Sequence, residues 1–246
     1  MPSLFISLQH PTSADATAVF SDPIKLDESK QYEIALQNAS LYYTWVNVSS
    51  DFNNNQITYN TGIGADKTIT FPKGNYGVMD LESYIHEVMK ENGDFTVVSG
   101  VDTFDIKFQI NYSTLRVKIV LTNSYSIDFT GTTFGDLMGF TNTDIMVTTV
   151  APNNAEITRG VDSLYLKCTN VRGSYSNGVN DQVIYSFSPN SAPGTLITIE
   201  PNNLIWLELD RSLIREFRIT LTDQLGRSVS TEGEGASYVL IIREIK

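Results

Sequence analysis

The stretch EFRITLTDQLGRSVSTEGEGASYVLIIREI, residues 216–245, decides the fold class of this chain. Its first part alternates apolar and polar residues, residues 223–226 carry a tight-turn signal, and a return with alternating residues follows. A Gly/Glu loop then precedes a last apolar run. Alternation with a period of two is the pattern of a strand buried on one face. The stretch therefore predicts a hairpin that ends in a terminal strand. The unbroken apolar run 239–242 predicts that this last strand is buried on both faces, inside a sheet.

The same period of two recurs along most of the chain, in segments rich in Tyr, Ile, Val, Thr and Phe, which favour a pleated surface. The predicted strands are 4–8, 32–43, 56–60, 67–71, 104–110, 115–122, 125–129, 163–171, 182–188, 195–201, 204–210, 216–223 and 238–245. Turn signals such as KGNYG and SPNSAPG separate them at the spacing of a sandwich or Greek-key barrel. The sequence therefore predicts an all-β protein.

One segment, MDLESYIHEVMKENG, does not show this alternation with a period of two. Acidic residues lie in its first turn, and Gly93 can end a helix in a left-handed conformation. It predicts one inserted amphipathic helix over about residues 79–92, with His86 and Glu87 on or near the wet side. A short helical turn is also expected in FGDLMGF, residues 134–140. The apolar residues at helical spacing are Leu81, Tyr84, Ile85, Val88 and Met89.

His86 and Glu87 begin like the zinc-protease signature H-E-x-x-H, but position 90 is Lys90. An ammonium group repels a divalent metal, and the other histidine is His10, near the N-terminus. The sequence also lacks a nucleophile elbow, a phosphate-binding loop and a cysteine pair. We therefore expect no enzyme activity, and no catalytic, cofactor-binding or metal-binding residues.

The net charge and the hydropathy pattern exclude some classes of partner. The formal net charge of −11 repels nucleic-acid phosphates and anionic membranes, so direct nucleic-acid binding is not expected. No window holds the roughly 18 apolar residues that a membrane-spanning helix needs, and residues 1–15 lack the features of a signal peptide. We expect neither membrane insertion nor secretion by a signal peptide.

Two further features have more than one interpretation. Cys168 lies in LYLKC, where alternation predicts a buried, inert thiol rather than a reactive one. In LYYTWVNV, residues 41–48, alternation places Tyr43 and Trp45 on one face and Tyr42 on the other. These aromatic residues could form core and interface, or line a sugar or peptide site.

The chain shows no internal repeat, and residues 1–246 are predicted to form a single jelly-roll-like unit. If it is subdivided, we expect a helix-containing half, 1–140, and a C-terminal half, 158–246. Residues 141–157 would then be the linker, since they form the best candidate for a connection.

Several blocks together resemble a known family of viral proteins. They are FPKGNYGVMDLESYIHEVM (71–89), the segment 111–140 with its D-F-T and L-M-G-F motifs, and the segment 156–235 with Cys168, G-S-Y-S-N-G and L-T-D-Q-L-G. This arrangement resembles proteins encoded by Polinton (Maverick) virus-like elements and adintoviruses, over nearly the whole chain. One departure is SVSTEGEG after the L-T-D-Q-L-G turn, where the family often continues with Asp-x-x-Gly-Glu.

The resemblance implies a jelly-roll or β-sandwich fold and a structural role in the virion. It implies a minor capsid (penton) component that forms a homo-oligomer, with a pentamer favoured, at the vertices of an icosahedral shell. The major capsid protein would be its partner, with a fibre protein as a further one, and the chain would be made inside the host cell. A viral fibre or a receptor- or carbohydrate-binding β module is the alternative.

Exposed side chains should lie at the contacts of such an assembly. RGSYSNG, residues 172–178, predicts a polar loop with a central aromatic residue, a common format for protein contacts. We expect Tyr42, Tyr175 and Asn177 to be interface residues. A ring would use two different patches of each subunit.

Overall fold

The computed structural model describes residues 3–157, 161–176 and 178–245. It confirms the prediction of an all-β protein. The strands are β1 (Leu4–His10), β2 (Ala16–Lys25), β3 (Tyr32–Tyr42), β4 (Gln56–Asn60), β5 (Lys67–Thr70), β6 (Thr96–Val98), β7 (Val101–Thr103), β8 (Ile106–Asn111), β9 (Arg116–Leu121), β10 (Ser126–Asp128), β11 (Asp144–Ile145), β12 (Thr149–Val150), β13 (Leu164–Cys168), β14 (Val171–Arg172), β15 (Ser174–Ser176), β16 (Val179–Asp181), β17 (Val183–Phe187), β18 (Leu196–Ile199), β19 (Leu207–Leu209), β20 (Leu213–Asp223) and β21 (Ala236–Glu244).

Helices are few. The amphipathic helix predicted at 79–92 is α1 (Val78–Glu91), and the short turn predicted within 134–140 is α2 (Phe134–Leu137). The backbone N–H of Gly77 donates to the Asp80 carboxylate at 2.8 Å, which satisfies one of the unpaired N–H groups where α1 begins. No helix in the described ranges is long and apolar enough to cross a membrane.

The chain divides into two compact units. Unit 1 combines residues 3–45 with the described residues from 161 to 245, and unit 2 comprises residues 46–157. This division differs from the predicted halves, 1–140 and 158–246, because β3 pairs with β18, β19 and β21 from the far end of the sequence. Residues 141–157, predicted as a linker, contain β11 and β12, which pair within unit 2.

Unit 1 is a two-sheet jelly roll. Sheet I has the strand order β1-β21-β3-β19-β14, with β18 also paired to β3, and sheet II has the order β17-β13-β20-β2. The chain passes from one sheet to the other between β1 and β2 and between β2 and β3. After unit 2 it crosses again between β13 and β14, between β14 and β17, between β17 and β18, between β19 and β20, and between β20 and β21. Crossings of this kind are those of an antiparallel double Greek key. Unit 2 is inserted between β3 and β13.

The inner faces of sheets I and II share one hydrophobic core. Alternation places Ile6 and Leu240 of sheet I, and Leu166 and Phe217 of sheet II, in this core. Burying each such side chain contributes about 1.5–3 kcal/mol. Cys168 belongs to the same core, as its strand pattern predicted.

Unit 2 has its own core, built from two sheets and α1. Sheet III has the order β11-β10-β4-β5, and sheet IV has the order β12-β9-β8. The helix contributes Leu81, Ile85 and Met89 to this core. Two more hairpins, β6–β7 in unit 2 and β15–β16 in unit 1, form separate two-stranded sheets.

The C-terminal stretch contains the predicted strand, turn and return, but the return is short. β20 and β21 flank the predicted turn, where Gly226 N–H donates to the Asp223 carbonyl at 3.0 Å. The two strands belong to different sheets, however, and only a short return at Ser228 pairs with β20. The prediction that the last strand is buried on both faces is wrong, since Val239 and Ile241 remain half-buried on the outer face.

Candidate assembly surfaces

Tyr42 lies at the end of β3, in register with Leu196 of β18. Both side chains are partly open to solvent, with exposed fractions of 38% for Tyr42 and 48% for Leu196. Tyr43 and Trp45 instead stack on each other, with ring centroids 4.1 Å apart, and pack in or against the core of unit 1. Tyr42 and Trp45 therefore differ in exposure as their predicted placement on opposite faces implies, with Tyr42 the more exposed of the two.

Tyr175 lies on the β15–β16 hairpin, and 72% of its surface is exposed. Val179 on the second strand of this hairpin is also exposed. Asn177, the third predicted interface residue, lies outside the described residues. Tyr42 and Tyr175 belong to different sheets, so these two predicted residues are not neighbours in one β ladder.

A third surface of unit 1, the outer face of sheet I, was not predicted. Phe5 of β1 lies directly opposite Ile241 of β21, and Val239 follows two residues earlier on the same face. Phe5 is 57% exposed, although sheet faces in water usually carry polar residues. The sequence pattern indicates this exposure. In β1 the core residues Ile6 and Leu8 lie on one face, so Phe5, one residue before Ile6, points away from the core.

A charged group borders this apolar strip. Arg243 is opposite Glu33 in register, and its guanidinium donates to the Glu33 carboxylate at 2.8 Å. The same guanidinium lies 3.8 Å from the ring centroid of Trp206, which is a cation–π geometry. An apolar centre with a charge-compensated border is typical of protein contact surfaces.

His86 lies near the solvent-facing side of α1, as predicted, but its side chain is half-buried. Its ring stacks on Phe104 at a centroid distance of 4.1 Å, and Nε2 lies 2.7 Å from the carbonyl oxygen of Ile106, to which it can donate. The helical pattern cannot predict this contact, because Phe104 and Ile106 lie outside the helix, in the segment that enters β8. His86 fastens the helix to sheet IV.

Cys168 is buried, and burial raises the pKa of its thiol to about 12. A thiol with so high a pKa is a poor nucleophile at neutral pH. Within the described ranges, no group of three or more His, Cys, Asp or Glu side chains could hold a metal ion. Two depressions in unit 1, of about 390 and 510 Å³, are lined mainly by polar side chains. In the first, Lys167 pairs with Asp181 and Arg227 pairs with Asp223.

No protein-family model matches this sequence, and no curated protein matches it. Among solved structures, the chain is similar to the penton protein of mavirus, with a TM-score of 0.51 and 10% sequence identity. The match covers 99% of this chain and 100% of the mavirus protein. The likeness confirms a jelly-roll fold of the type found in that penton protein.

Proposed function

We propose that the chain is a structural virion protein, a minor capsid component that forms the vertices of an icosahedral shell. The observation that carries this proposal is the full-length likeness in fold to the mavirus penton protein, which extends over the jelly roll and the inserted unit alike. The resemblance of the sequence blocks to proteins of Polinton (Maverick) elements and adintoviruses supports the same role.

The outer face of sheet I gives physical support. Phe5 and Ile241 form an apolar strip in which, among the residues that the structure describes, Phe5 is exposed and Ile241 is half-buried. Covering such a strip releases water and favours association by about 25 cal/mol per Å² of apolar surface. In a ring each subunit presents two different patches, so this strip would meet another surface of the next subunit.

The proposed assembly has a defined oligomeric state, partners and contact residues. The homo-oligomer is a pentamer, its other partners are the major capsid protein and a fibre protein, and the chain resides in the virion. Tyr42, Tyr175 and Asn177 take part in subunit contacts, which the exposure of the two tyrosines supports. The proposal includes no contact with nucleic acid, no membrane insertion and no catalysis. The net charge and the structural positions of His86 and Cys168 support these exclusions.

Light scattering of the purified chain over a range of protein concentrations tests the proposal. A pentamer, seen also as five-fold rings in electron micrographs, is the expected result. A trimer would favour a viral fibre or a receptor- or carbohydrate-binding β module. A chain that stays monomeric, alone and with the major capsid protein, would contradict the vertex role.

A further inference from the structure

The solvent face of sheet IV is basic. In the β8–β9 ladder Lys107 lies opposite Val120, Gln109 opposite Lys118, and Asn111 opposite Arg116. Directly paired residues share a face, and the alternate residues Ile106, Phe108, Val117 and Ile119 are buried in the core of unit 2. The outward face therefore carries three cations, and Asp105 lies at its edge, where its carboxylate accepts hydrogen bonds from Thr122 and Asn123. The face keeps a net positive charge.

None of Lys107, Arg116 and Lys118 forms an ion pair with another residue in the described ranges. The chain has 28 acidic residues against 17 Lys and Arg residues, so cations are scarce in it. Val150 of β12 lies opposite Lys118 and is more than half exposed, which adds an apolar contact to this basic face.

Sheet III presents the opposite charge. Asp128 of β10 lies directly opposite Asp144 of β11, and Asp66 joins them from the turn before β5, where it accepts a hydrogen bond from Asn60 at 2.7 Å. Burial and the nearby Asp128 and Asp66 carboxylates raise the pKa of Asp144. Like charges directly opposite each other destabilise a sheet. The described strand residues of this face include no Lys or Arg: Gln56, Thr58, Asn60, Thr68, Thr70, Ser126, Asp128 and Asp144.

The basic and the acidic faces point in different directions. The inner residues of sheets III and IV, such as Ile57 and Ile127 on one and Phe108 and Ile119 on the other, belong to the same core. The outer faces therefore both point away from that core and cannot neutralise each other within one copy. Two copies can join them, the basic face of one against the acidic face of the other.

We propose that the basic face of sheet IV docks on the acidic face of sheet III of a second copy of this chain. This inference rests on the proposed function, since it names a contact by which the shell protein associates with itself. The contact joins two different patches, so it continues from copy to copy and closes into a ring when the rotation permits. Charge complementarity of this kind guides association and sets its register.

Charge reversal tests the pairing. We expect Lys107→Glu with Lys118→Glu, and separately Asp66→Lys with Asp144→Lys, to weaken self-association at least about tenfold in light scattering, because each change opposes like charges. Mixing the two double variants should restore association, since the two intact faces then meet each other with opposite signs, and so do the two reversed faces. The chain with all four changes should also associate with itself.

Matched controls separate this effect from a general change in net charge. Glu87→Lys with Glu91→Lys changes the charge of the exposed face of α1 by the same amount as the acidic-face variant. Lys25→Glu reverses an exposed cation on β2, with the same sign as the basic-face variant and half its change in charge. Both controls should associate like the original chain, and thermal unfolding should show that all the variants remain folded.

The other outcomes are distinct. If the reversed variants associate as the original chain does, the inference is overturned while the proposed function stands, because another surface then forms the oligomer. If association is lost but neither the mixture nor the four-fold variant restores it, the pairing of these two faces is wrong. Binding of a 20-nucleotide DNA that depends on Lys118, with self-association unchanged, would assign the basic face to a polyanion instead. A chain that is monomeric throughout contradicts both the inference and the self-assembly of the proposed function.

Discussion

The phenol of Tyr238 donates a 2.6 Å hydrogen bond to the carbonyl oxygen of Ala14, and both residues are buried. Tyr238 lies on β21, in register with Leu8 of β1, whereas Ala14 lies in the connection that carries the chain from sheet I to sheet II. The bond therefore fastens the last strand of the jelly roll to the corner between its first two strands. Burial raises the pKa of Tyr238 well above its ordinary value.

Replacing Tyr238 by Phe should lower the free energy of unfolding by about 1–3 kcal/mol, because the Ala14 carbonyl then remains buried without its donor. Urea unfolding followed by circular dichroism measures the change. Tyr112→Phe is the matched control, since Tyr112 is 76% exposed, and it should have no measurable effect. Equal stability of the two variants would show that the bond contributes little.

Gly139 and Gly131 both have left-handed backbone, with φ values of 79° and 78°. A Cβ on Gly139 would overlap the backbone of Asn153 and Asn154, whereas nothing lies within 4 Å of a Cβ on Gly131. Gly131→Ala should cost about 1 kcal/mol for the strained backbone alone, and Gly139→Ala about 3 kcal/mol or more. Melting temperatures of the two variants compare these costs, and equal values would contradict the close approach at Gly139.

The contacts of Asp223 should make the free energy of unfolding depend on pH. Burial disfavours the Asp223 carboxylate, but the backbone N–H groups of Arg227 and Leu225 and the guanidinium of Arg227 outweigh it, and they hold the pKa below its ordinary value of 3.8. A carboxyl group whose pKa is lower in the folded state stabilises the fold above its unfolded pKa, and this stabilisation is lost as the pH falls through the folded pKa.

Asp223→Asn should therefore cost about 1–3 kcal/mol at pH 7, and the difference from the original chain should shrink below about pH 4. Unfolding in urea at several pH values between 2.5 and 7, about the range that the pKa of a carboxyl group spans, measures this. The control is Asp22→Asn, at an exposed position on β2, which should change the free energy of unfolding little at any pH. A constant difference between Asp223→Asn and the original chain would contradict the assigned cause.

A single substitution tests whether the outer face of sheet I takes part in self-association. Phe5→Glu places a charge in the centre of the apolar strip, and we expect self-association to weaken at least about tenfold, since the contact would have to bury an unpaired carboxylate. Light scattering at several protein concentrations measures this. Leu225→Glu, in the exposed turn before Gly226, should leave the mass unchanged. An unaltered oligomer in Phe5→Glu would exclude this strip from the contact.

Local periodicity was enough to predict most elements of the fold. The helix, most of the strands, the buried Cys168 and the opposite faces of Tyr42 and Trp45 all follow from patterns that span a few residues. The pairing of the strands does not, because partners far apart in sequence compete for each strand. Thus the return after the turn pairs with β20 as predicted, whereas the partners of β21 are β1 and β3, which lie at the other end of the sequence.

The surfaces were harder to predict than the core. Tyr42 and Tyr175 are both exposed, and their place in subunit contacts stays a prediction. The sequence does not predict a contact surface at Phe5, because a single apolar residue at an outward-facing position of a strand is common. The acidic and basic faces of unit 2 arise only when β10 meets β11 and β8 meets β9, and neither register is readable from the sequence.

The insertion of unit 2 between β3 and β13 has a consequence for the order of events during synthesis. Unit 2 is continuous in sequence and has its own core, so it can fold on the ribosome once residues 46–157 have emerged. The jelly roll cannot, because its first strands wait for partners such as Tyr238, which lies 224 positions beyond Ala14. Strands β1–β3 therefore spend most of translation unpaired, with open edges that a chaperone or a neighbouring nascent chain can bind.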